Sequence, residues 1–473
     1  MNRAHAAAAA SAAFLTLAGA APPPLADRVE AILAAAGPGA RFGMVVAGED
    51  GREIVAIAPE GRFVPASTTK MFTIAAAFAR LPSLDVPDAA GGAALWLEPK
   101  RGHPPDLVLE GHGDARLSSA GECVEDCLAR LADAVAAAHV RTVGDVIGDD
   151  SAFPDQRWSP GMSWNNMSSE SGTAVSALTL DDNVVALDVA PTVIGLPPRA
   201  AAGYFEIRND ALTGAAGTKS TLEAERLPGS RTLRLTGAVP AGAAAQRLRL
   251  GLDDPADYTA WRLKALLEAR KVKVTGRVRV RHRPAGTAVP VPPVARTLIA
   301  RLAPPPLALD LADTAKRSQN LHAELFLRRL SPSGGTAEGL QAVRALLDAA
   351  GVPAWQAEFA DGSGMSTYNR VSPRGVVTFL RWAGRQPWGA AWRATLPVGG
   401  VDGTLRRRFK GGPLDGRIFA KTGTLNQVHA LAGYLTARSG RSFAFALYAN
   451  DVPEGAPAAR AIDAALELVA NEN

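Results

Sequence analysis

Ser67 and Lys70 are the first residues whose types and spacing could do chemistry. They lie three positions apart at the start of a predicted helix, so their side chains share one face. Apolar residues at helical spacing indicate that helix: Met71, Phe72, Ile74, Ala75 and Phe78. A serine hydroxyl attacks an acyl carbon when a base takes its proton, and a lysine can be that base if its pKa is lowered. Burial and a nearby cation such as Lys421 would lower it, and the Ser67 N–H would face a developing oxyanion.

Ser318 and Asn320 form a second candidate pair. They stand in a polar junction between two helix-like segments, residues 307–315 and 321–330. Ser318 could relay a proton to a leaving amine, and Asn320 could hydrogen-bond a substrate amide. Because Ser-x-Asn is also a common helix cap, this pair has meaning only together with the other motifs.

Lys421, Thr422, Gly423 and Thr424 form a third candidate group. Predicted strands flank them, at residues 417–420, 430–437 and 442–448. A cation with adjacent hydroxyls on a strand edge suits a C-terminal carboxylate, and the edge can pair with an extended peptide. Gly423 would let a substrate backbone approach closely. The Thr424 amide is the natural second oxyanion donor beside that of Ser67.

In this order the three groups resemble the S-x-x-K, S-x-N and K-T-G signature of active-site serine penicillin-recognising enzymes. Further segments resemble one family among them, the low-molecular-mass class C penicillin-binding proteins, which are D-alanyl-D-alanine carboxypeptidases and endopeptidases. The matching segments are residues 109–114, 148–153, 175–178, 361–366 with 369 and 372–373, and 396–405. The resemblance therefore covers nearly the whole chain after the first residues.

The resemblance implies a multi-domain α/β fold, in which a penicillin-binding/β-lactamase-like transpeptidase domain carries two nested inserted domains. The implied domains are the transpeptidase-like domain at 25–86 and 298–473, a second domain at 87–190 and 252–297, and a third at 191–251. The 250 or so residues between Lys70 and Ser318, far more than a loop needs, agree with an insertion.

Carried onto this sequence, the resemblance implies that Ser67 is acylated, Lys70 is its base, and Ser318 and Asn320 form the second motif. Lys421 and Thr422 would hold the substrate carboxylate, and the amides of Ser67 and Thr424 would form the oxyanion hole. The implied reaction removes terminal D-alanine from peptidoglycan stem peptides or cuts their D-amino-acid cross-links. Penicillins and other β-lactams would trap the serine covalently, and no cofactor or metal is implied.

Two residues depart from the family pattern. Gln319 stands where the family usually has Asp, but its neighbours Ser318 and Asn320 are intact, so we expect activity. Asn166 stands where relatives often have an acidic residue, which would bind a free ammonium group on the stem-peptide side chain. A preference for stem peptides with that ammonium group is therefore not expected from this sequence. The chemistry uses no histidine, so His112, His322 and His429 are expected to be packed or surface residues.

The first residues predict export. A positive start at residues 2–5, a short apolar run at 6–20 and the small-x-small pattern at 18–20 are typical of a signal peptide, here 1–20. No later stretch reaches the length of a spanning helix, so we expect a periplasmic protein, with loose membrane association left open. In that compartment Cys123 and Cys127 could pair, although their i, i+4 spacing is awkward inside a regular helix.

Composition and charge exclude few other functions. The content of 47% hydrophobic and 21% charged residues is that of a globular protein, and the net charge of +5 is explained by a modestly basic surface. No nucleic-acid motif and no four-ligand zinc cluster is present in the sequence. Two alternatives stay open at this point: a β-lactamase or esterase on the same fold, and a catalytically inactive wall-binding scaffold.

Overall fold

Five strands from the two ends of the chain form one antiparallel sheet, called here the central sheet. The computed structural model describes residues 23–201, 203–290 and 295–473, so the predicted export segment at 1–20 lies outside the described residues. Across the sheet the strands follow the order Glu53–Ile57, Arg41–Gly48, Ser442–Asn450, Val428–Thr436 and Ile418–Leu425. The strand that carries Lys421 to Thr424 therefore lies at an edge of this sheet.

Alternate side chains of the central sheet enter two separate apolar layers, because successive residues of a strand point to opposite faces. Met44 and Val46 pack in a cluster with the terminal helices Leu25–Ala34 and Ala458–Glu472. Val45 and Ala47 belong to the cluster on the other face, which contains the helix Lys70–Arg80. The sheet is thus sandwiched between helices, as expected for one α/β unit built from both chain ends.

The second layer holds the helices that position the candidate residues. They are Leu307–Arg317, Asn320–Arg329, Thr336–Ala349, Pro373–Ala383 and Gly389–Thr395, with short 3-10 turns at Ala66–Thr69, Ala354–Gln356 and Gly403–Leu405 and a short strand pair, Ala357–Glu358 with Arg370–Val371. Trp392 is fully buried among them, and its indole Nε1 donates a hydrogen bond to the Met71 carbonyl at 3.1 Å. This contact holds the first turn of the helix that begins at Lys70.

A second five-stranded sheet, here the insertion sheet, lies between the two chain-end segments. Its order is Val278–Arg283, Val146–Pro154, His103–Glu110, Ala94–Lys100 and Thr297–Arg301, and its apolar cluster includes the helices Leu128–Ala137 and Pro255–Ala269. The pair Thr142–Val143 and Lys273–Val274 extends beside it. The last strand, Thr297–Arg301, spans residue 298, where the chain is predicted to return to the catalytic domain. The domain bounds themselves stay a prediction.

Short strands occupy residues 184–251, which include the predicted nested third domain at 191–251. They are Val184–Ala190 with Gln246–Gly251 and Arg199–Ala200, then Glu206–Asn209 with Thr232–Thr236 and Glu223–Glu225, and Leu212–Gly214 with Ala238–Pro240. Three 3-10 turns, Trp164–Asn166, Glu170–Gly172 and Asp181–Asn183, precede them. Two of these turns bring the insertion to the candidate site.

Cys123 and Cys127 form a disulfide, with their Cα atoms 5.8 Å apart. The following helix begins only at Leu128, so neither cysteine lies within it and the awkward helical spacing does not apply. Among the described helices, none is both long and apolar enough to cross a bilayer.

Candidate active site

Ser67 lies in a 3-10 turn, Ala66–Thr69, that runs directly into the helix Lys70–Arg80. The preceding residue, Ala66, has a φ of 47°, a left-handed conformation that costs free energy for a residue with a Cβ. Surrounding packing fixes this turn: a Cβ on Gly364 would overlap the Ala66 carbonyl oxygen. The fold therefore presents the Ser67 hydroxyl on a constrained turn at the start of a helix.

Lys70 is fully buried and touches three polar groups. Its Nζ lies 2.9 Å from Ser67 Oγ, 2.6 Å from Asn320 Oδ1 and 2.6 Å from the Ser363 carbonyl oxygen. A neutral amine fits this arrangement, because its two N–H groups can donate to the two carbonyl oxygens while its lone pair accepts the Ser67 O–H. The geometry is that of a base in contact with the hydroxyl it would deprotonate.

Burial lowers the pKa of Lys70 to about 7, although the nearby carboxylates of Asp361 and Glu324 act in the opposite direction. The predicted lowering by burial is thus reproduced. The pKa of Lys421 is also lowered, first by its own burial and then by the neighbouring Lys70.

The second motif connects both lysines to the rest of the site. Ser318 has a φ of 62° at the end of the helix Leu307–Arg317, and its Oγ accepts a hydrogen bond from Lys421 Nζ at 2.8 Å. Asn320 begins the next helix, and its Nδ2 donates to the Ser171 carbonyl at 2.9 Å while its Oδ1 accepts from Lys70. The amide nitrogen carries a second hydrogen that a substrate carbonyl could accept.

The edge strand Ile418–Leu425 has backbone groups free for a substrate. The Ala420 N–H points away from the sheet and donates to the Pro397 carbonyl. Main-chain N–H groups point to the free edge at every second residue of an edge strand, so those of Thr422 and Thr424 also point away from the sheet. Thr422 Oγ1 lies 2.7 Å from Thr404 Oγ1, and Thr424 is exposed. The Thr424 N–H is therefore oriented as the predicted oxyanion donor requires.

Gly423 lies where the edge strand packs against the turn that carries Ser67. A Cβ at this position would lie 2.6 Å from the Pro65 carbonyl oxygen and 3.1 Å from Ala66 Cβ. The absence of a side chain thus lets the edge strand pack against the turn that carries Ser67, rather than letting a substrate approach. Gly423 sets the separation between two parts of the site.

Lys421 is fully buried and forms no ion pair with any residue that the structure describes. Its Nζ donates to Ser318 Oγ and, at 3.0 Å, to the Thr422 carbonyl oxygen. A buried amine without a carboxylate partner is stabilised in its charged form when an anion arrives. The residue is therefore suited to bind a substrate carboxylate at the outer edge of the strand.

Replacing Lys421 by alanine is expected to lower kcat/KM for a peptide with a free C-terminal carboxylate by roughly 30- to 1,000-fold, about 2–4 kcal/mol. The loss on the same peptide with an amidated C-terminus should be clearly smaller, because that substrate has no charge for Lys421 to bind and only the hydrogen bond to Ser318 is removed. Lys410→Ala, on the surface, is the matched control. Equal losses on both substrates would contradict carboxylate recognition by Lys421.

Two acidic residues that the sequence argument did not assign hold the Lys70 pocket in shape. Asp361 accepts hydrogen bonds from the Gly364 and Ser366 amides and from Asn369 Nδ2. Glu324 Oε1 accepts from the amides of Gly362 at 3.0 Å and Ser363 at 2.8 Å. Together they orient the Ser363 carbonyl toward Lys70. The segment 361–369 was part of the family resemblance, whereas Glu324 gave no signal beyond its position on the helix after Asn320.

His322 bridges the catalytic helices and the insertion. Its Nδ1 lies 2.6 Å from Asp310 Oδ1 and its Nε2 lies 2.9 Å from Asp182 Oδ1. Burial opposes its charge, but the two carboxylates prevail and raise the pKa of His322 to about 10. Asp310, Asp313 and His322 place ligand-type atoms within 4.8 Å of one another, and both ring nitrogens of His322 lie within hydrogen-bond distance of carboxylates. His322 is a packed residue, as expected, and the absence of a metal stays a prediction.

We expect His322→Gln to lower the free energy of unfolding by about 3 kcal/mol, because buried Asp310 then keeps only Arg116, at 3.9 Å, as a cationic partner. The pKa of His322 in the folded protein lies above its usual value of 6.5. The stabilisation by the ion pair is therefore complete below pH 6.5 and is lost as the pH rises towards 10. Urea unfolding of both proteins across this range measures it. A difference between them that does not shrink with rising pH would contradict an ion pair.

The loop that contains Asn166 reaches the same cleft from the insertion. Asn166 ends the turn Trp164–Asn166, and its carbonyl accepts a hydrogen bond from Ser169 Oγ at 2.8 Å. Ser171, farther along this loop, is the partner of Asn320. His112 and His429, the other two histidines noted near motifs, form none of the Ser67, Lys70 or Lys421 contacts described above.

Known proteins resemble this chain over most of its length. The model of the D-Ala-D-Ala carboxypeptidase 3 (S13) family matches residues 25–473. A D-alanyl-D-alanine carboxypeptidase of Actinomadura sp. (strain R39) is 35% identical over 425 residues, which are 84% of this chain and 75% of that protein. The carboxypeptidase DacB of Haemophilus influenzae is 31% identical over 176 residues, covering 35% of this chain and 36% of that protein.

Solved structures show the same fold. The crystal structure of penicillin binding protein 4 (dacB) from Haemophilus influenzae superposes with a TM-score of 0.77 at 22% identity, covering 90% of this chain and 94% of that one. The same protein complexed with a β-lactam gives a TM-score of 0.71 at 21% identity, with the same coverage of both chains. The predicted α/β penicillin-binding fold is confirmed, and the chain belongs to the D-Ala-D-Ala carboxypeptidase 3 (S13) family.

Proposed function

We propose that this protein is a serine-type D-Ala-D-Ala carboxypeptidase and D,D-endopeptidase that acts on peptidoglycan stem peptides and is acylated by β-lactams. The observation that carries the proposal is the contact of buried Lys70 with Ser67 Oγ at 2.9 Å, beside an edge strand whose Lys421 has no anionic partner among the described residues. Family membership supports the same chemistry.

Acylation begins when the substrate lies along the edge strand with its terminal carboxylate at Lys421 and Thr422. Ser67 Oγ attacks the carbonyl carbon of the penultimate D-alanine while its proton passes to Lys70 Nζ. The resulting oxyanion accepts hydrogen bonds from the N–H groups of Ser67 and Thr424. These donors are parts of a constrained turn and a strand, so they need little rearrangement as the charge develops.

Collapse of the tetrahedral intermediate breaks the C–N bond, and the leaving amine of the terminal D-alanine takes a proton. Ser318 is the relay: its Oγ, held by Lys421 Nζ at 2.8 Å, gives its proton to the amine and receives the one that Lys70 took from Ser67, so Lys70 returns to its neutral form. Water then attacks the acyl-enzyme and Lys70 again serves as base, which restores Ser67. A β-lactam ring opens by the same attack but keeps its leaving group tethered, so the acyl-enzyme persists.

The proposal includes export to the periplasm by the segment 1–20, since the substrate lies outside the cytoplasm. It also includes Asn166 as a side chain that supplies no negative charge where a stem-peptide ammonium would bind. Neutralising that ammonium by acetylating the side-chain amine of the stem peptide is then expected to change turnover little.

D-Alanine release from a pentapeptide ending in D-Ala-D-Ala tests the activity directly. We expect release from this peptide and none from a matched peptide with a terminal L-alanine. Cleavage of a cross-linked dimer, followed by mass spectrometry, measures the endopeptidase activity separately. A purified, folded protein that processes neither substrate, while hydrolysing a penicillin with rapid turnover, would instead be a β-lactamase.

A further inference from the structure

A pocket of about 270 Å³ lies at the end of the central sheet away from Ser67. We call it the arginine pocket; Arg381, Arg385 and Arg393 line it together with Glu49, Tyr434 and Ser442. The strand Ser442–Asn450 begins at this pocket and ends at Asn450, whose Oδ1 accepts from the Val64 amide close to Ser67. The pocket is therefore separate from the catalytic cleft.

The arginine pocket carries an excess of positive charge, since three guanidinium groups and only one carboxylate, that of Glu49, line it. Nη2 of Arg381 and Nη2 of Arg385 donate to the same main-chain oxygen, that of Glu49, at 3.0 Å and 2.6 Å. A carbonyl oxygen carries only a partial charge and leaves two guanidinium groups next to each other. Neither of them, nor the Glu49 side chain, forms an ion pair with a residue that the structure describes.

A neighbouring arginine on the same helix shows the contrast. Arg374 lies two turns before Arg381 in Pro373–Ala383, and it pairs with Glu53 at 2.8 Å and Glu60 at 2.5 Å. Arg381 instead has a buried Nε that makes no hydrogen bond with any described group. Arg381 thus lacks the carboxylate partners that neutralise Arg374 on the same helix.

The third arginine is held in place by aromatic rings. The Arg393 guanidinium lies 4.7 Å from the centroid of Tyr434 and 4.9 Å from that of Phe419. Tyr434 is itself fixed, since its hydroxyl donates to the Leu380 carbonyl at 2.6 Å. The pocket wall is thus rigid, which lowers the entropic cost of binding a small ligand.

We propose that the arginine pocket is a binding site for a compact anion of the phosphate class. Planar guanidinium groups match the oxygens of a phosphate group, and three of them surround one small cavity. Its volume of about 270 Å³ has room for a phosphate group together with a small substituent. The group could be free phosphate or the headgroup of an anionic lipid, and both offer the same chemistry.

Melting temperatures with inorganic phosphate, at an ionic strength held constant with chloride, test the site. We expect phosphate to raise the melting temperature of the wild type and of Arg460→Gln, an exposed arginine on the helix Ala458–Glu472. The shift should be lost in Arg381→Gln and in Arg393→Gln, two variants that guard against failure of either one to fold. Equal shifts in all four proteins, or no shift beyond that of chloride, would overturn the proposal.

Sedimentation with vesicles separates the two sources of phosphate. If the ligand is a lipid headgroup, phosphatidylglycerol vesicles retain the wild type and Arg460→Gln but not Arg381→Gln, whereas phosphatidylcholine vesicles retain none. If it is a soluble phosphate, the vesicles retain none of the proteins while the melting shift persists. D-Alanine release should be unchanged in these variants, so the result does not depend on the proposed enzymatic function.

Discussion

Replacement of Ser67 by alanine is expected to abolish covalent labelling by a fluorescent penicillin and all D-alanine release above background. The reason is chemical, since Ser67 Oγ is the hydroxyl in contact with the buried amine of Lys70, at 2.9 Å. No bond to the acyl group can form without it. Labelling is measured on a denaturing gel, and the site is identified by mass spectrometry of the acylated peptide.

Ser439→Ala is a suitable control, because Ser439 is exposed on the turn before the strand Ser442–Asn450. It should label like the wild type. The small size of the Ser67→Ala change should leave the melting temperature close to that of the wild type. Labelling that persists in Ser67→Ala would place the nucleophile elsewhere, and a wild type that never labels would favour a non-catalytic scaffold.

Sequence alone located the elements that carry the site to within a few residues. The predicted strand 430–437 is observed as Val428–Thr436, and the predicted helix 307–315 as Leu307–Arg317. These segments have strong apolar periodicity and clear ends, so local sequence determines them. The three motifs also meet in one place, because Lys70 contacts both Ser67 and Asn320 while Lys421 contacts Ser318.

Features that depend on distant partners were missed. The strand Ala94–Lys100 gave no sequence signal, since its second half is polar and contains a proline, yet it pairs with His103–Glu110 and Thr297–Arg301. Valines alternate from 272 to 280, yet this segment forms two strands, Lys273–Val274 and Val278–Arg283, because Gly276 packs against Asp145 where the neighbouring strand also breaks. Tertiary contacts override local preference in such segments.

The same limit applies within the site. Glu324 acts through main-chain amides of residues 362 and 363, and Ser171 reaches Asn320 from the insertion. No spacing rule connects such residues, because the contacts form only when separate segments fold together. The contact between Ser171 and Asn320 shows that the insertion contributes to the cleft wall.

Replacement of Lys70 by alanine is expected to reduce the rate of acylation by about 10²–10⁴-fold, the usual contribution of a general base. The pH dependence of the wild type gives an independent measure. Since the pKa of Lys70 is about 7, the amine is neutral above that pH and protonated below it. The acylation rate of the wild type should therefore fall as the pH decreases below about 7, and this acid limb should be absent in Lys70→Ala.

Loss of activity in this variant should not come from unfolding. The pKa of Lys70 is lower in the folded protein than its usual 10.5, so the unfolded chain binds the proton more readily. The buried amine thus lowers the free energy of unfolding at every pH below 10.5. This loss of stability grows as the pH falls and is complete below about pH 7. Lys70→Met, which fills the space without the amine, should consequently be at least as stable as the wild type and equally impaired in acylation. Lys273→Ala, at the surface, should retain both properties, and a wild-type rate that does not change through pH 7 would show that Lys70 is not the base.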